Sequence, residues 1–153
     1  MPKLDLDAIP QTNATGYQAP FDAAVAGRWY RRLAPVAGLT MFGASHVVLK
    51  PGAWSSQRHW HDGEDEMVVM IFGEAVLVED AGETILRAGD CAAWAGGLTN
   101  GHHLINRTDS DCIFVAIGAG PRTGGGYSDI DMMFTADDRY VRKDGTEYAR
   151  RRV

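Results

Sequence analysis

The stretch His59-Trp60-His61-Asp62-Gly63-Glu64-Asp65-Glu66 contains two histidines separated by one residue, followed by a short acidic run. Successive side chains of an extended strand point to opposite faces, so both imidazoles of this pair can reach one ion. A later stretch, Asn100-Gly101-His102-His103-Leu104-Ile105-Asn106, supplies two further histidines. Imidazole nitrogens with a carboxylate oxygen suit a divalent ion such as zinc, iron, manganese or nickel. Together the two stretches predict a split metal site, in preference to solvated histidines.

The first stretch resembles one of the two signature motifs of the cupin superfamily. That motif consists of Gly, five residues, His-x-His, three or four residues, Glu, six residues and Gly. Here His59, His61, Glu66 and Gly73 follow this spacing. The leading glycine is Gly52, which stands six residues before the first histidine instead of five, a difference that one bulged residue can absorb.

The second stretch resembles the other cupin motif, which consists of Gly, five residues, Pro-x-Gly, two residues, His, three residues and Asn. Gly89 begins this motif, and His102 with Asn106 ends it. The middle departs from the pattern, because Ala95 stands in place of the proline and four residues separate Gly97 from the histidine. Both motifs nevertheless occur in the expected order.

The resemblance implies one divalent metal ion per chain, held by four side chains. The implied ligands are His59, His61, Glu66 and His102. His103 is the alternative third histidine, because it and His102 point to opposite faces of a strand and only one of them can face the ion. The interval to Asn106 favours His102. Glu64 is the alternative carboxylate, since it shares the alternation phase of Glu66.

The remainder of the chain predicts an all-β fold, because many short strand-like segments alternate with Gly, Pro and Asp turns. The predicted strands are residues 39–42, 46–49, 66–72, 74–79, 83–86, 91–94, 102–106 and 112–117. The resemblance implies an antiparallel double-stranded β-helix, or jelly-roll barrel. We divide the single domain into an N-terminal arm (1–28), the barrel (29–120) and a C-terminal loop and hairpin packed on the barrel (121–153). The glycine-rich residues 122–127 predict a flexible loop that could serve as a lid.

Several residues beside the ligands are candidates for a substrate pocket, whereas no catalytic residue is identified. The candidates are His46, Arg58, Glu64, Met70, Phe72, Trp94 and His103. Met70 and Phe72 share the alternation phase of Glu66, although plain core packing is the alternative for aromatic and methionine side chains. Alternation places Arg58 opposite His59, so a surface ion pair is its alternative role.

Composition and charge limit the partners that the protein can have. The net charge of −5 and the pI near 5.4 argue against nucleic acid, which requires clustered positive charge. The basic run Arg150-Arg151-Arg152 predicts a solvated tail. We expect no membrane span, and a cytoplasmic location, because no long apolar stretch or signal-peptide core is found. Cys91 and Cys112 lie in apolar strand segments and predict buried, reduced thiols.

The predicted function is that of a metal-binding protein with a small-molecule ligand. The resemblance implies functions that range from dioxygenases and isomerases to non-enzymatic binding proteins, together with frequent homodimers. We favour a metal-dependent enzyme acting on a small polar or anionic organic substrate, as an oxygenase, isomerase or lyase. The alternative is a non-catalytic sugar or small-molecule sensor. The extended N-terminal arm predicts a homodimer in which this arm contacts the second chain.

Overall fold

Antiparallel strands dominate the computed structural model, which describes residues 3–149. The strands are β1 (Arg28–Arg32), β2 (Gly43–Leu49), β3 (His59–His61), β4 (Asp65–Phe72), β5 (Glu74–Glu79), β6 (Gly82–Arg87), β7 (Cys91–Trp94), β8 (His103–Ile105), β9 (Cys112–Ala119), β10 (Gly124–Tyr127), β11 (Met133–Thr135) and β12 (Tyr140–Val141). The helical elements are the short helix α1 (Leu33–Val36) and the 3-10 turns Leu6–Ala8 and Ala23–Val25. The prediction of an all-β antiparallel fold is confirmed.

The described strands form three hydrogen-bonded sheets. A five-stranded sheet has the order β1-β2-β9-β4-β7, a three-stranded sheet the order β6-β5-β8, and a four-stranded sheet the order β12-β11-β10-β3. A backbone bridge between His59 and His102 joins the two smaller sheets at β3 and the start of β8. The two histidine-bearing stretches of the sequence are therefore neighbours in space.

The main core lies between the five-stranded sheet and the three-stranded sheet. Val68 and Met70 of β4 and Phe114 of β9 point inward from the first of these sheets. Leu77 of β5 and Leu104 of β8 meet them from the second. Burial of these apolar side chains is the main favourable contribution to folding. A second apolar cluster joins the N-terminal arm to the C-terminal strands, and it contains Tyr17, Val25, Tyr127 and Met132.

The N-terminal arm extends the edge of the five-stranded sheet of its own chain. Thr12 pairs with Tyr30 of β1, and each backbone N–H of this pair donates to the carbonyl oxygen of the other, at N–O distances of 3.0 and 2.8 Å. This pairing covers part of the β1 edge, which would otherwise expose unpaired backbone groups. The sequence did not predict β1 as a strand, and Leu39–Phe42, which it did predict, lies before the start of β2.

The glycine-rich segment is a buried strand, which corrects the predicted flexible loop. Gly124–Tyr127 forms β10 and pairs with β3 on one side and β11 on the other. Glycine is required because neighbours fill the space of a side chain: a Cβ on Gly125 would lie 2.0 Å from the Trp60 carbonyl oxygen and 2.5 Å from Cζ of Phe134. The small residues therefore permit close packing instead of flexibility.

The C-terminal hairpin is formed by β11 and β12, followed by a second turn at Lys143-Asp144-Gly145-Thr146. The Arg142 N–H donates to the Thr146 carbonyl oxygen across this turn, at 2.7 Å. The basic run Arg150-Arg151-Arg152 lies outside the described residues. No helix among residues 3–149 is long and apolar enough to cross a membrane. Cys112 is buried as predicted, whereas Cys91 is exposed.

Candidate metal centre

Four side chains converge at the inner side of β3. Nε2 of His59 lies 3.2 Å from Nε2 of His61. Oε2 of Glu66 lies 3.1 Å from Nε2 of His61, 3.2 Å from Nε2 of His102 and 3.8 Å from Nε2 of His59. We call these four residues the His/Glu cluster. Donor atoms of His59, His61 and Glu66 all lie within 4.8 Å of one another, close enough to hold one ion, and Nε2 of His102 adjoins the same carboxylate oxygen.

Strand geometry explains why these side chains meet. His59 and His61 occupy alternate positions of β3 and therefore share one face. Glu66 is the second residue of β4 and follows a short connection from β3. His102 is brought in by its backbone, which exchanges hydrogen bonds with His59 at N–O distances of 3.2 and 2.9 Å. Local alternation and one long-range bridge together assemble the cluster.

The outer nitrogens of His59 and His102 have hydrogen-bond partners. Nδ1 of His59 lies 3.1 Å from both the Ser56 hydroxyl and the Gln57 carbonyl oxygen. Nδ1 of His102 lies 3.2 Å from the Asn100 carbonyl oxygen. A carbonyl accepts the Nδ1 proton, which leaves Nε2 of each ring unprotonated and able to bind a metal ion.

The charge state of the cluster also fits a divalent cation. Burial lowers the pKa of His59 to about 4, so this ring is neutral at pH 7. Burial alone would raise the pKa of Glu66, but the neighbouring imidazoles of His102, His61 and His59 hold it well below its usual range. Burial likewise opposes charge on His61, but its hydrogen bond to Glu66 and the charge of that carboxylate raise its pKa overall. The Glu66 carboxylate is therefore anionic and the His59 ring neutral, which are the states that metal ligation requires.

The two alternative ligands lie outside the centre of the cluster. His103 turns away from Glu66, and its Nδ1 lies 2.9 Å from the Ser56 carbonyl oxygen. Burial lowers the pKa of His103. Glu64 stands behind His61, with its Oε2 3.3 Å from Nδ1 of that ring. It is placed to orient the ring of a ligand and not to replace Glu66.

Trp94 forms one wall of the cluster. Its ring stacks on His102 with a centroid distance of 3.7 Å and an interplanar angle of 5°. The indole N–H donates to Oε1 of Glu79 at 2.7 Å, and the amide of Asn100 donates to the same oxygen at 2.9 Å. Because Asn100 also accepts from His102, these contacts fix the orientation of the imidazole.

A cavity of about 480 Å³ opens beside the cluster, a volume within the usual range for small-molecule sites. Glu66, Trp94, His102 and His103 line it from the cluster side. The lining also includes residues that the sequence did not suggest: Tyr17, Arg28, Tyr30, Arg32, Ser55, Ser56 and Arg122. The alternation in Arg28-Trp29-Tyr30-Arg31-Arg32 could have indicated β1, but no motif connects it to the histidines.

Two predicted pocket residues face away from the cavity. His46 lies on the outer face of β2, where it shares a groove with Trp29, because its neighbours Ser45 and Val47 take the inward positions. Burial and nearby Arg31 lower the pKa of His46. Arg58 is the second of these residues, and it forms a surface ion pair, which was its alternative role.

The contacts of Arg58 fully account for its charge. Its Nη2 lies 2.7 Å from Oδ1 of Asp129, its Nε lies 2.9 Å from Oδ2 of the same residue, and it also pairs with Asp80. The hydrogen bond to Asp129 is the main reason that the pKa of Arg58 is raised.

Two further predicted pocket residues, Met70 and Phe72, belong to other environments. Met70 is fully buried in the main core. Phe72 is 58% exposed, because the register of β4 against β9 shifts between Met70 and Phe72 and breaks the alternation. Of the predicted pocket residues, Trp94 and His103 line the cavity, and Glu64 adjoins the cluster.

Comparison with known proteins places these features in context. Residues 45–118 match the family model of the cupin domain. A crystal structure of a sugar phosphate isomerase of the cupin superfamily from Silicibacter pomeroyi is 43% identical, with 97% of each chain covered and a TM-score of 0.91. A comparison with curated proteins gave no match.

More distant structures share the fold. A candidate sugar phosphate isomerase from Acidithiobacillus ferrooxidans is 19% identical, with 81% of each chain covered and a TM-score of 0.71. The polyketide cyclase RemF from Streptomyces resistomycificus is 16% identical, with 78% of this chain and 79% of the other covered, and a TM-score of 0.63. At these identities the likeness extends to the fold and not to the reaction.

Proposed function

The chain belongs to the cupin superfamily, and we infer that it is a metal-dependent isomerase of a phosphorylated sugar. One observation carries the proposal: the His/Glu cluster opens into a cavity that is also lined by three arginines. A phosphorylated sugar offers a carbonyl group to the His/Glu cluster and an anionic phosphate to the arginines. The Silicibacter pomeroyi protein, at 43% identity over nearly the whole chain, adds support.

The chemistry of isomerisation suits this site. Conversion between an aldose and a ketose moves hydrogen between two neighbouring carbon atoms and between their oxygens, so it consumes no oxidant or co-reactant. His59, His61, Glu66 and His102 would hold one zinc, iron, manganese or nickel ion. Such an ion polarises a carbonyl group and thereby acidifies the adjacent C–H bond.

The walls of the cavity would bind and orient the sugar. Trp94 and Leu104 supply apolar surface, which lowers the local dielectric constant and strengthens the attraction between charged groups. Ser45, Ser55 and Tyr30 present polar groups that could bind sugar hydroxyls. Cationic side chains at the edge would retain the phosphate.

The test is an isomerisation assay over a panel of pentose and hexose phosphates, with the matching unphosphorylated sugars as controls. Protein loaded separately with each of the four metals should convert at least one sugar phosphate, as followed by NMR. Conversion should cease after metal removal and in the variant His61→Ala. Tight binding of a sugar phosphate without any conversion would instead support the non-catalytic binding protein.

We also propose that two chains form a homodimer, but through the outer face of the five-stranded sheet and not through the arm. The support for this choice is that Thr12 of the arm already pairs with Tyr30 of its own chain.

A cytoplasmic location stays a prediction from the sequence.

A further inference from the structure

We propose that Arg28 and Arg32 of β1 form the subsite for the substrate phosphate, so that the sugar lies between β1 and the His/Glu cluster. This inference rests on the proposed function, because it identifies how the same cavity selects a phosphorylated substrate. It assigns a binding role to a strand that carries no recognisable sequence motif.

The register of β1 directs its basic side chains toward the cavity. Arg28 pairs with Leu49 of β2, and Arg32 pairs with Ser45. Directly opposite residues of an antiparallel pair share one face of the sheet. Leu49 belongs to the main core and Ser45 lines the cavity, so the two arginines point inward. The intervening Arg31 lies on the outer face.

Arg28 has a positive charge without a neutralising partner among residues 3–149. Its Nη1 donates to the Ser55 carbonyl oxygen at 2.9 Å and its Nη2 to the Ala14 carbonyl oxygen at 3.4 Å. Its guanidinium lies 5.2 Å from the centre of the Tyr30 ring. These neutral contacts position the group without balancing its charge, and its buried Nε–H has no acceptor. A buried donor without an acceptor is costly, and an anionic ligand would complete this environment.

The other charged residues of the cavity cannot take this role equally well. Arg122 is 65% exposed and is engaged by Asp138 at 3.1 Å and by Glu64 at 3.9 Å. Glu66 is the one carboxylate in the described lining, and it is held among the histidines of the cluster. The unbalanced positive charge therefore lies on β1. A phosphate dianion accepts charge-assisted hydrogen bonds from two guanidinium groups with the geometry that arginine favours.

This arrangement orients the substrate. The phosphate end lies against Arg28 and Arg32, and the carbonyl end lies against the His/Glu cluster. The preference for phosphorylated sugars then resides in β1, separate from the residues that hold the metal.

The test compares Arg28→Gln and Arg32→Gln with Arg31→Gln, which removes the same charge from the same strand but from its outer face. The first measurement is binding of inorganic phosphate to the metal-loaded proteins by calorimetry. All four proteins keep the same metal site, so differences among them report on β1. We expect each inward variant to weaken phosphate binding by at least about tenfold, the loss that one charge-assisted hydrogen bond represents. Arg31→Gln should bind as the wild type does.

The second measurement is kinetic and uses the best sugar phosphate together with its unphosphorylated sugar. Arg28→Gln and Arg32→Gln should raise KM for the phosphorylated sugar by a larger factor than KM for the unphosphorylated sugar. Unchanged KM values in both variants would overturn the proposal. If Arg28→Gln does not fold, two other variants decide the outcome. They are Arg32→Gln, at an exposed position, and Arg28→Lys, which retains the charge.

The two proposals can fail separately. Phosphate binding that depends on β1 in a protein without isomerase activity would retain the subsite and reject the isomerase. Isomerisation whose phosphate preference is unaffected by both variants would retain the isomerase and reject the subsite.

Discussion

At the scale of single residues, the adjacent histidines His102 and His103 have different surroundings. Only His102 reaches the Glu66 carboxylate, whereas His103 contacts the Ser56 carbonyl oxygen. We therefore expect His102→Ala to lower metal affinity by more than about 100-fold. Loss of a group that only hydrogen-bonds to a metal ligand lowers affinity by up to about 100-fold, and loss of the ligand itself should cost more. His103→Ala should retain the metal. Elemental analysis of both purified proteins measures the difference.

The same assay applied to His59→Ala and His61→Ala completes the ligand set. Both variants should lose the metal, and in the wild type affinity should decline as pH falls below about 6, because a bound imidazole must be unprotonated. Metal retention in His102→Ala with loss in His103→Ala would reverse the assignment. Retention that is unchanged at pH 5 would contradict a site with three histidines.

The two thiols provide a pH-dependent prediction. Burial, with a smaller contribution from Asp111, raises the pKa of Cys112 to about 11, whereas Cys91 is exposed. Ellman's reagent should therefore modify one thiol in the native protein at pH 8 and two after unfolding. Above pH 9 the unfolded chain loses the Cys112 proton while the folded chain retains it. The free energy of unfolding should thus fall as pH rises from 9 to 11, and it should fall less in Cys112→Ala. Rapid modification of two thiols without unfolding would contradict this prediction.

The sequence predicted which side chains form the His/Glu cluster, but it did not predict the opposite wall of the cavity. His59, His61 and Glu66 could be placed together because their local spacing follows the alternation of strands. Arg28 and Arg32 could not, because their position depends on the pairing of β1 with β2, which leaves no fixed spacing in the sequence.

At the scale of elements, β10 depends on residues without side chains. Gly125 makes room for the ring of Phe134, which in turn packs against His61 with a centroid distance of 5.3 Å. Gly125→Ala should destabilise the protein by about 3 kcal/mol, at the upper end of the usual cost of overpacking, because the new methyl group meets the Trp60 carbonyl oxygen. Urea unfolding measures this change.

Gly43→Ala is the matched control, since its Cβ would lie at an ordinary 3.7 Å from the Gly118 carbonyl oxygen. It should change stability by no more than about 0.5 kcal/mol. Equal stability of the two variants would show that β10 tolerates side chains and is not tightly packed.

Prediction of the elements failed where alternation was interrupted. Phe72 was expected beside Glu66 because both occupy even positions of one strand, but the bulge after Met70 turns Phe72 outward. The glycines of β10 predicted a loop, because a glycine-rich sequence indicates conformational freedom. The sequence does not show which neighbouring groups occupy the space where their side chains would lie. The apolar run between Glu74 and Glu79, which forms β5, was located correctly.

At the scale of the whole molecule, the outer face of the five-stranded sheet is apolar and uncharged along its middle. Its side chains are Val48, Met67, Val69, Ala93, Ile113, Val115 and Ile117. Met67 is 43% exposed. Arg31 and His46 lie toward the β1 edge of the same face. Because the seven side chains of the middle carry no charge, the patch that they form is complementary to itself, as a symmetric dimer requires, and two such sheets can pack face to face. We expect the protein to sediment as a dimer of its 16.6 kDa chain.

Ile117→Lys should convert this dimer into a monomer, because it introduces a charge at the centre of the contact. Leu98→Lys, at an exposed position outside the strands, is the control and should remain dimeric. A monomeric wild type would reject the dimer, and a dimer that is lost only on deletion of the N-terminal arm would restore the arm as the contact.

The stacking of Trp94 on His102 would make the indole an optical sensor of a metal ion bound by the His/Glu cluster. Excited tryptophan is sensitive to charge and to open-shell ions at van der Waals distance, and the two rings are only 3.7 Å apart. Titration with nickel or iron should therefore quench the emission, whereas zinc, with its filled d shell, should alter its intensity without such quenching. Trp94→Phe should remove most of the response, while Trp29, on the outer face, continues to emit. The intrinsic fluorescence would then report whether the bound metal has an open or a filled d shell, before any substrate is known.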